Sequence, residues 1–442
     1  MSLRSAVASR VVDTLAGPGL RDLRRAGAEW RRRLGGRPHQ IRYFHQADDP
    51  YSHLAAQVLG RLRDGYDVEI LPRLVGGAEE SPEPAMLEAY ARKDAADIAP
   101  VYDLSFPRGV GAPDPARVRL AERMLAGTSI DVFLERVVPV GAALWSGEEG
   151  ALEDLATRFA PCSDAEAVRV REESSRERRR LGHYSGGTFH YGGEWYWGVD
   201  RLDHLEERLR GLGVGPKAPG APMLVVRPGP SAGSGPAVGA RPVLEYFPSL
   251  RSPYTAISME EVLDLPRRYD IDLRIRPVLP MVMRGMTIPV YKRLYIMRDS
   301  KREADRLGVR FGRMCDPVGE PVERGFSLYP WARECGRDGP YLLSFAKGVF
   351  ADGIDAGSDE GLRQIVERVG LDWGEAQRRL GNEDWRPELE RNREDMFAAG
   401  LWGVPSFRIL AGDGHPEFAT WGQDRICLIE RELARRLAGP AA

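Results

Sequence analysis

The chain has 442 residues, enough for two domains that each bury a core of their own. With 43% hydrophobic and 29% charged residues, the composition is typical of globular proteins and excludes a disordered chain or a coiled coil. The formal net charge of -2 gives no general reason to expect nucleic acid or a membrane as a partner, and no apolar run approaches the roughly 18 to 20 residues of a membrane span.

Residues 1–40 form a basic segment, which contains nine arginines and only three acidic residues, Asp13, Asp22 and Glu29. It has no apolar core followed by a small-residue cleavage site, so it is not typical of a secretory signal. We expect a cytoplasmic protein with one or two amphipathic N-terminal helices, broken near Gly17-Pro18-Gly19. The alternative is an arm that binds an acidic partner through its arginines. These are Arg21, Arg24, Arg25 and Arg31 to Arg33.

Two stretches of the chain are rough copies of each other, which indicates an internal repeat. Each copy has a Tyr-Phe pair, a Pro-Tyr pair six residues later, a Gly-Gly or Val-Pro pair far downstream and a Trp-Gly-x-Asp-Arg ending. In the first copy these are Tyr43-Phe44, Pro50-Tyr51, Gly186-Gly187 and Trp197 to Arg201. In the second copy they are Tyr246-Phe247, Pro253-Tyr254, Val404-Pro405 and Trp421 to Arg425.

The copies are separated by residues 211–240, which contain six prolines among Gly and Ser. Neither a helix nor a central strand tolerates such a composition, so this segment is predicted to be a linker. The chain is therefore divided into the basic segment 1–40, a domain over 41–210, the linker, and a second domain over 241–442.

The second copy shows the clearest order of elements. A strand is predicted over 242–247, a helix over 253–265 and an alternating strand over 271–278. A mostly helical region follows over about 293–393, and then come strands over 405–410 and near 420, and a helix from about 424. A βαβ unit, a helical insertion and a final ββα unit predict a thioredoxin-like fold with an inserted helical domain.

The four cysteines, at 162, 315, 335 and 427, form no Cys-x-x-Cys pair and have no metal-ligand spacing. The seven histidines do not cluster either, so we expect no metal site. This cysteine usage fits a reducing compartment.

With these motifs in order, the second copy resembles the 2-hydroxychromene-2-carboxylate isomerases and kappa-class glutathione transferases, a DsbA-like branch of the thioredoxin fold. The resemblance spans nearly all of residues 243–437. Its fragments are Tyr246-Phe247, Ser252 to Tyr254, Lys292 to Tyr295 with Asp299, Phe345 to Gly353, Gly403 to Pro405 and Trp421 to Arg425. The first copy matches more loosely over 40–210, with Tyr90 and Asp94 at the places of Tyr295 and Asp299. The implied fold class is α/β, with two tandem thioredoxin-like (DsbA-like) domains that each carry an inserted helical subdomain.

The resemblance implies that Ser252 stabilises the thiolate of bound glutathione at a helix N-terminus, where partial positive charge and free N–H groups gather. It also implies a cis Pro405, whose preceding residue Val404 pairs with the glutathione backbone. Asp424 would bind the γ-glutamyl amino group, and N–H groups near Gln423 and Asp424 would hold its carboxylate. At position 423 the isomerases usually have Asn and the kappa enzymes Ser, which puts glutathione affinity in question.

Lys292 would neutralise the glycyl carboxylate of glutathione or an anionic substrate. Each of these residues also has a purely structural interpretation. Ser252 before Pro253 is an ordinary helix N-cap, Pro405 opens a strand, Asp424 caps the last helix and Lys292 is solvated.

The first copy lacks both reactive features. Asp49 stands where the second copy has Ser252, and its negative charge would repel a thiolate. Gly187 replaces the proline and does not favour a cis bond. The first copy is thus predicted to be a degenerate partner domain that takes the place of a second subunit, making an intramolecular pseudo-dimer.

The predicted function is a cytoplasmic glutathione-dependent isomerase or transferase that acts on an aromatic or conjugated keto-acid electrophile. Glutathione is then a cosubstrate, and the partners are small molecules. Two alternatives stay open: a DsbA-family disulfide oxidoreductase, which rests on the fold only, and a non-catalytic tandem scaffold.

Overall fold

The computed structural model describes residues 17–77, 83–229, 240–286, 288–412 and 414–438. The described residues from 22 to 229 form one compact unit, and those from 17 to 21 and from 240 onward form a second. Residues 1–16 of the basic segment and 230–239 of the predicted linker lie outside the described residues. None of the described helices is both long and apolar enough to span a membrane, and no cluster of metal-ligating side chains occurs in the same residues.

The first unit is built on a four-stranded mixed sheet. Its strands are β1 (Gln40–His45), β2 (Glu69–Leu74), β3 (Thr188–Tyr191) and β4 (Glu194–Trp197), in the order β2-β1-β3-β4. Strand β1 pairs parallel with β2 and antiparallel with β3, and β3 and β4 form an antiparallel hairpin. Parallel neighbours need a crossover, and antiparallel neighbours need only a turn, which accounts for the helix between β1 and β2 and the tight Gly192-Gly193 turn.

The second unit has a sheet of the same order and the same pairing. Its strands are β5 (Val243–Phe247), β6 (Asp272–Ile275), β7 (Ser406–Ile409) and β8 (Phe418–Trp421), in the order β6-β5-β7-β8. The strand predicted over 271–278 is shorter because the chain leaves the regular ladder before Pro277, although Arg276 N–H and Val278 N–H still bond the carbonyls of Tyr246 and Pro248.

The helices of the first unit surround its sheet and fill the long connection between β2 and β3. They are α1 (Pro18–Leu34, of which the part from Asp22 belongs to this unit), α2 (Pro50–Gly65), α3 (Pro84–Ile98), α4 (Pro115–Leu125), α5 (Ile130–Ser146), α6 (Ala151–Phe159), α7 (Asp164–Leu181) and α8 (Leu202–Gly211).

The second unit follows the same plan, with a longer helical insertion between β6 and β7. Its helices are α9 (Pro253–Arg268), α10 (Val290–Leu307), α11 (Glu320–Glu334), α12 (Asp338–Lys347), α13 (Asp359–Glu367), α14 (Trp373–Gln377), α15 (Trp385–Ala398) and α16 (Ile426–Leu437). The predicted helical region over about 293–393 is confirmed. The last helix begins at Ile426, two residues later than predicted, after a short 3-10 turn over Gln423–Arg425.

The core of the second unit joins the sheet to the insertion. Tyr246 of β5 and Phe407 of β7 stack with ring centroids 5.4 Å apart, and Phe326, Leu342 and Phe345 of the insertion belong to the same buried cluster. Burial of these large apolar side chains is the main favourable contribution to the stability of the unit. The insertion is thus packed against the sheet.

The first part of the segment predicted as a linker is held on the first unit. The Glu206 carboxylate accepts hydrogen bonds from the N–H groups of Leu224 and Val225 (2.8 and 3.3 Å), and Arg210 donates to the carbonyls of Ala221 and Pro222. Further along, Arg227 pairs with Asp203. A Pro- and Gly-rich composition indicates only the absence of regular structure, and here the backbone groups are bonded by side chains instead. The boundaries of two domains at 41–210 and 241–442 stay a prediction.

A pair of glycines tests the packing of the first unit. A Cβ added at Gly141 of α5 would lie 2.3 Å from Nδ1 of the buried His53, whereas one at Gly60 of α2 meets nothing within 4 Å. We expect Gly141→Ala to lower the free energy of unfolding by about 1–3 kcal/mol through overpacking. Gly60→Ala should raise it by about 0.5–1 kcal/mol through helix propensity. Urea denaturation of the full chain measures both, and a Gly141→Ala variant as stable as Gly60→Ala would contradict the packing of α5 against α2.

Candidate functional site

Ser252 is the N-cap of α9, and its hydroxyl group makes two hydrogen bonds. Its Oγ accepts a hydrogen bond from the Thr255 N–H at 3.2 Å and donates one to the Val404 carbonyl oxygen at 3.4 Å. The first bond is ordinary capping, helped by Pro253 at the first helical position. The second bond is long and weak, and it shows that the start of α9 faces the loop before β7.

The loop before β7 has the predicted cis peptide bond between Val404 and Pro405. It also lies against the Trp-Gly-x-Asp-Arg ending. The Gly422 N–H donates to the Pro405 carbonyl at 2.9 Å, and a Cβ added at Gly403 would fall 2.0 Å from the Trp421 ring. Only glycine permits this contact, because any side chain at 403 would displace the indole. The two motifs that sequence analysis singled out are therefore parts of one packed structure.

Gln423 is buried and serves as a bridge. Its Nε2 donates to a Glu303 carboxylate oxygen at 3.0 Å and to Asp424 Oδ1 at 2.6 Å. A buried carboxylate such as Glu303 needs hydrogen-bond donors, and Arg306 supplies another at 3.2 Å. Since Gln is one methylene longer than Asn, it can span from the last 3-10 turn to α10. The Gln at position 423, where the isomerases usually have Asn, is thus matched by a hydrogen bond to Glu303.

Asp424 and Lys292 are the two charged residues among the predicted site residues. Asp424 is half-buried, and one of its oxygens already accepts from Gln423. Lys292 is half-buried in the first turn of α10, and burial lowers its pKa. It precedes Asp299 by seven residues, which places it about 10 Å further along the helix axis. The structure brings Ser252 and the Val404–Pro405 pair together, and Lys292 lies in the first turn of α10.

The first turn of α9 is fixed by a hydrogen bond that the sequence did not predict. The Tyr254 hydroxyl donates to Asp299 of α10 at 2.8 Å, and Arg302 donates to the same carboxylate at 2.6 Å. The first unit repeats the contact, because Tyr51 donates to Asp94 at 2.8 Å. The signal was present in the sequence, since the Tyr after the helix-opening Pro and the distant Asp recur together in both copies.

Arg251 directly precedes Ser252 and places a cation beside it. In the structure it forms a two-bond ion pair with Asp316, with both N···O distances 2.7 Å. Bidentate pairing of this kind fixes the guanidinium in one geometry. The positive charge next to Ser252 is therefore largely neutralised, and the helix N-terminus remains as the local source of positive potential.

Three hydroxyl groups around the start of α9 are buried and make no hydrogen bond within the described residues: those of Tyr246, Ser249 and Thr255. Burial raises the pKa of Tyr246, so its phenol stays protonated. A buried hydroxyl without a partner costs about 1–3 kcal/mol. Thr255 lies in the first turn of α9 and Ser249 just before its N-cap, so these two hydroxyls have unused hydrogen-bonding capacity near the helix N-terminus.

The equivalent groups of the first unit are satisfied. Tyr43 donates to the Ser52 carbonyl at 2.6 Å, and Ser52 Oγ accepts from the Gln46 N–H at 3.1 Å while donating to Asp49 at 2.6 Å. Burial raises the pKa of Asp49 to about 6, against the lowering effect of its hydrogen bonds from Ser52. Above that pH the carboxylate is mostly charged, and it accepts from the Ser52 hydroxyl, whose counterpart on Thr255 makes no hydrogen bond within the described residues.

The loop over Gly186 and Gly187 closes the same place in the first unit. A Cβ on Gly186 would lie 2.6 Å from Gln46 Cβ and 2.8 Å from Ser52 Oγ, and Gly187, with a φ of 60°, would meet the Ser52 nitrogen at 3.0 Å. The backbone of this loop therefore rests directly on the start of α2. The approach leaves no room for a proline at 187 or for a ligand between the loop and the helix.

Residues 243–434 match the family model of the DSBA-like thioredoxin domain. The second unit is a DsbA-like thioredoxin domain, as the resemblance of its motifs predicts. The match does not include the first half of the chain. No curated protein matches the sequence.

Among solved structures, a 2-hydroxychromene-2-carboxylate isomerase is 17% identical, covering 44% of this chain and 95% of that one with a TM-score of 0.37. A probable DsbA oxidoreductase from Streptomyces coelicolor is 18% identical, covering 46% and 92% with a TM-score of 0.35. The cytosolic disulfide reductase DsbM from Pseudomonas aeruginosa with GSH is 17% identical, covering 44% and 93% with a TM-score of 0.33.

The difference between the two helix starts predicts different costs for removing equivalent hydroxyls. Ser52→Ala should lower the free energy of unfolding by about 1–3 kcal/mol, because the buried Asp49 and the Gln46 N–H each lose a partner. Thr255→Val should be neutral or stabilising, because its hydroxyl has no partner to lose and its burial without one is unfavourable. Urea denaturation of the two variants without added ligand tests the comparison. Equal losses would mean that Thr255 is bonded in solution as Ser52 is.

Proposed function

We propose that the second unit binds glutathione at the start of α9 and uses its thiolate as the nucleophile of an isomerase or transferase reaction. The observation that carries the proposal is the combination of Ser252 Oγ, placed between a helix N-terminus and the Val404 carbonyl, with the buried, unbonded Thr255 hydroxyl one turn away. A thiolate is the group that such donors would stabilise.

The role of Ser252 follows from its two hydrogen bonds. Its hydroxyl proton is directed to Val404 over 3.4 Å, so little is lost when it turns to a sulfur atom at the helix N-terminus. A donor and the helix dipole both favour the charged form of the thiol and lower its pKa. More thiolate is then present near pH 7, which raises the concentration of the nucleophile.

The other predicted residues would hold the peptide. Val404 offers its backbone beside strand β7 to an extended tripeptide, in the manner of strand addition. The negative charge of the Asp424 carboxylate suits the γ-glutamyl ammonium group, and the positive charge of Lys292 at the start of α10 suits a carboxylate of glutathione or substrate. Gln423 acts in this arrangement through Asp424, since its amide orients that carboxylate.

The substrate class proposed is a conjugated keto acid of aromatic type. Addition of the thiolate to the conjugated carbon turns the carbon–carbon double bond into a single bond, with the electron pair held on the keto oxygen. Rotation about that bond and expulsion of the thiolate give the other isomer, with no net redox change. In the transferase version a proton is added instead and the carbon–sulfur bond remains.

A disulfide oxidoreductase needs a pair of thiols at this place. Position 252 is serine and position 255 is threonine, while Cys162, Cys315, Cys335 and Cys427 are separate free thiols. The geometry therefore favours the glutathione proposal over dithiol exchange. The first unit, with its closed helix start, is proposed as a partner domain without a site of its own in a cytoplasmic protein.

Ser252→Ala and Asp49→Ala separate catalysis from capping. Both remove an N-cap and should cost about 1 kcal/mol or somewhat more in unfolding free energy. Ser252→Ala should also reduce glutathione-dependent turnover of an aromatic keto acid by about 10- to 1,000-fold, the range for one lost donor to a developing anion. Asp49→Ala should leave turnover nearly unchanged.

Steady-state kinetics and denaturation of the two variants give both quantities. If the two variants lose stability equally and neither loses turnover, Ser252 is a cap alone and the scaffold alternative gains support.

A further inference from the structure

Helix α1 presents apolar side chains to solvent. Leu23, Trp30 and Leu34 are 70%, 65% and 68% exposed. Their spacings of seven and four residues place them on one face of the helix, in a row about 16 Å long. We call these three residues the α1 stripe. Large apolar groups aligned in this way on a surface usually mark a contact site.

The opposite face of α1 is charged and packs on the first unit. Arg25 makes two hydrogen bonds to Glu194, at 2.9 and 2.8 Å, and the buried Glu29 accepts from the Tyr191 hydroxyl at 3.1 Å. Arg32 pairs with Glu29 at 2.9 Å. A surface helix normally buries its apolar face and exposes its charges. Here ion pairs hold the helix in place, and the apolar face stays outside.

Arginines border the α1 stripe on both sides. Arg24 and Arg31 lie on one side and Arg33 on the other, each about 80 to 100° from the stripe around the helix axis, and all three are exposed. The net charge of -2 for the whole chain conceals this local excess, since Pro18–Leu34 carries six arginines against Asp22 and Glu29. The expectation of no membrane partner rested on the global charge and does not apply to this face.

We propose that the α1 stripe docks on an anionic membrane surface, with the helix lying in the plane of the lipid headgroups. A Trp and two Leu can enter the boundary between headgroups and acyl chains while flanking arginines bind lipid phosphates, which is the pattern of an interfacial helix.

Charge argues against two other occupants. A second copy of this chain packed stripe to stripe would bring Arg24, Arg31 and Arg33 against the same arginines. Residues 1–16 carry Arg4 and Arg10 against Asp13, so their sequence is also net positive and does not complement the rim. An anionic surface is complementary, and a straight row of apolar groups with cations on both sides fits a plane better than a shaped protein pocket.

Vesicle sedimentation of the full chain tests the proposal. The probes are vesicles of phosphatidylcholine alone and of phosphatidylcholine mixed with phosphatidylglycerol. We expect binding to the mixed vesicles only, weakened by salt. Changing Arg24, Arg31 and Arg33 together to Gln should weaken it about 100-fold, at roughly fivefold for each charge. Trp30→Ser should weaken it at least about tenfold, because burial of the indole is lost.

The matched control is Val168→Ser, which removes an exposed apolar side chain from α7 of the same unit and should leave vesicle binding unchanged. All of these positions are exposed, and circular dichroism confirms that the variants fold. Absence of binding to the mixed vesicles, or binding that survives Trp30→Ser, would overturn the proposal. So would sedimentation equilibrium showing a dimer that Trp30→Ser dissociates, or binding to polyglutamate as strong as to the vesicles, which would indicate an acidic protein.

Discussion

The candidate site depends on one contact, the approach of the start of α9 to the loop before β7. Two contacts fix the helix start: the hydrogen bond from Tyr254 to Asp299 and the ion pair between Arg251 and Asp316. The loop is fixed by Gly403, which admits the Trp421 ring, and by the Gly422 N–H bond to Pro405. With both partners held, the Ser252 hydroxyl has a defined place between a helix N-terminus and a backbone carbonyl.

The same contact is built in the first unit and has the opposite character there. The Asp49 carboxylate accepts hydrogen bonds from the N–H and the hydroxyl of Ser52. Gly186 and Gly187 let the loop backbone contact the start of α2. The negative charge of the Asp49 carboxylate would repel an anionic ligand. In the second unit a neutral serine caps the helix, and the Ser249 and Thr255 hydroxyls make no hydrogen bond within the described residues. The proposed site rests on this difference between the two helix starts.

The sequence predicted the strands, the helix after the first strand of each copy and the loop facing it, because repeated motifs and apolar alternation depend on local chemistry. It did not predict the Gln423–Glu303 hydrogen bond or the Tyr254–Asp299 bond, which join residues more than forty positions apart. The linker composition did not show that Leu224 and Val225 bond to Glu206, since side-chain acceptors for loop backbone leave no periodic pattern. Apolar periodicity would also predict that α1 packs through its apolar face. Instead its charged face packs on the first unit through the Arg25–Glu194 ion pair.

The central claim is that the start of α9 lowers the pKa of a bound thiol and that the start of α2 does not. It is tested most directly by following the ultraviolet absorbance of the glutathione thiolate across pH, in the presence of a slight excess of the full chain. The account predicts one glutathione per chain, with a thiol pKa at least about one unit below the ordinary value near 8.5, and a return toward that value in Ser252→Ala. A bound thiol with an unshifted pKa, or a shift that persists without the Ser252 hydroxyl, would contradict it.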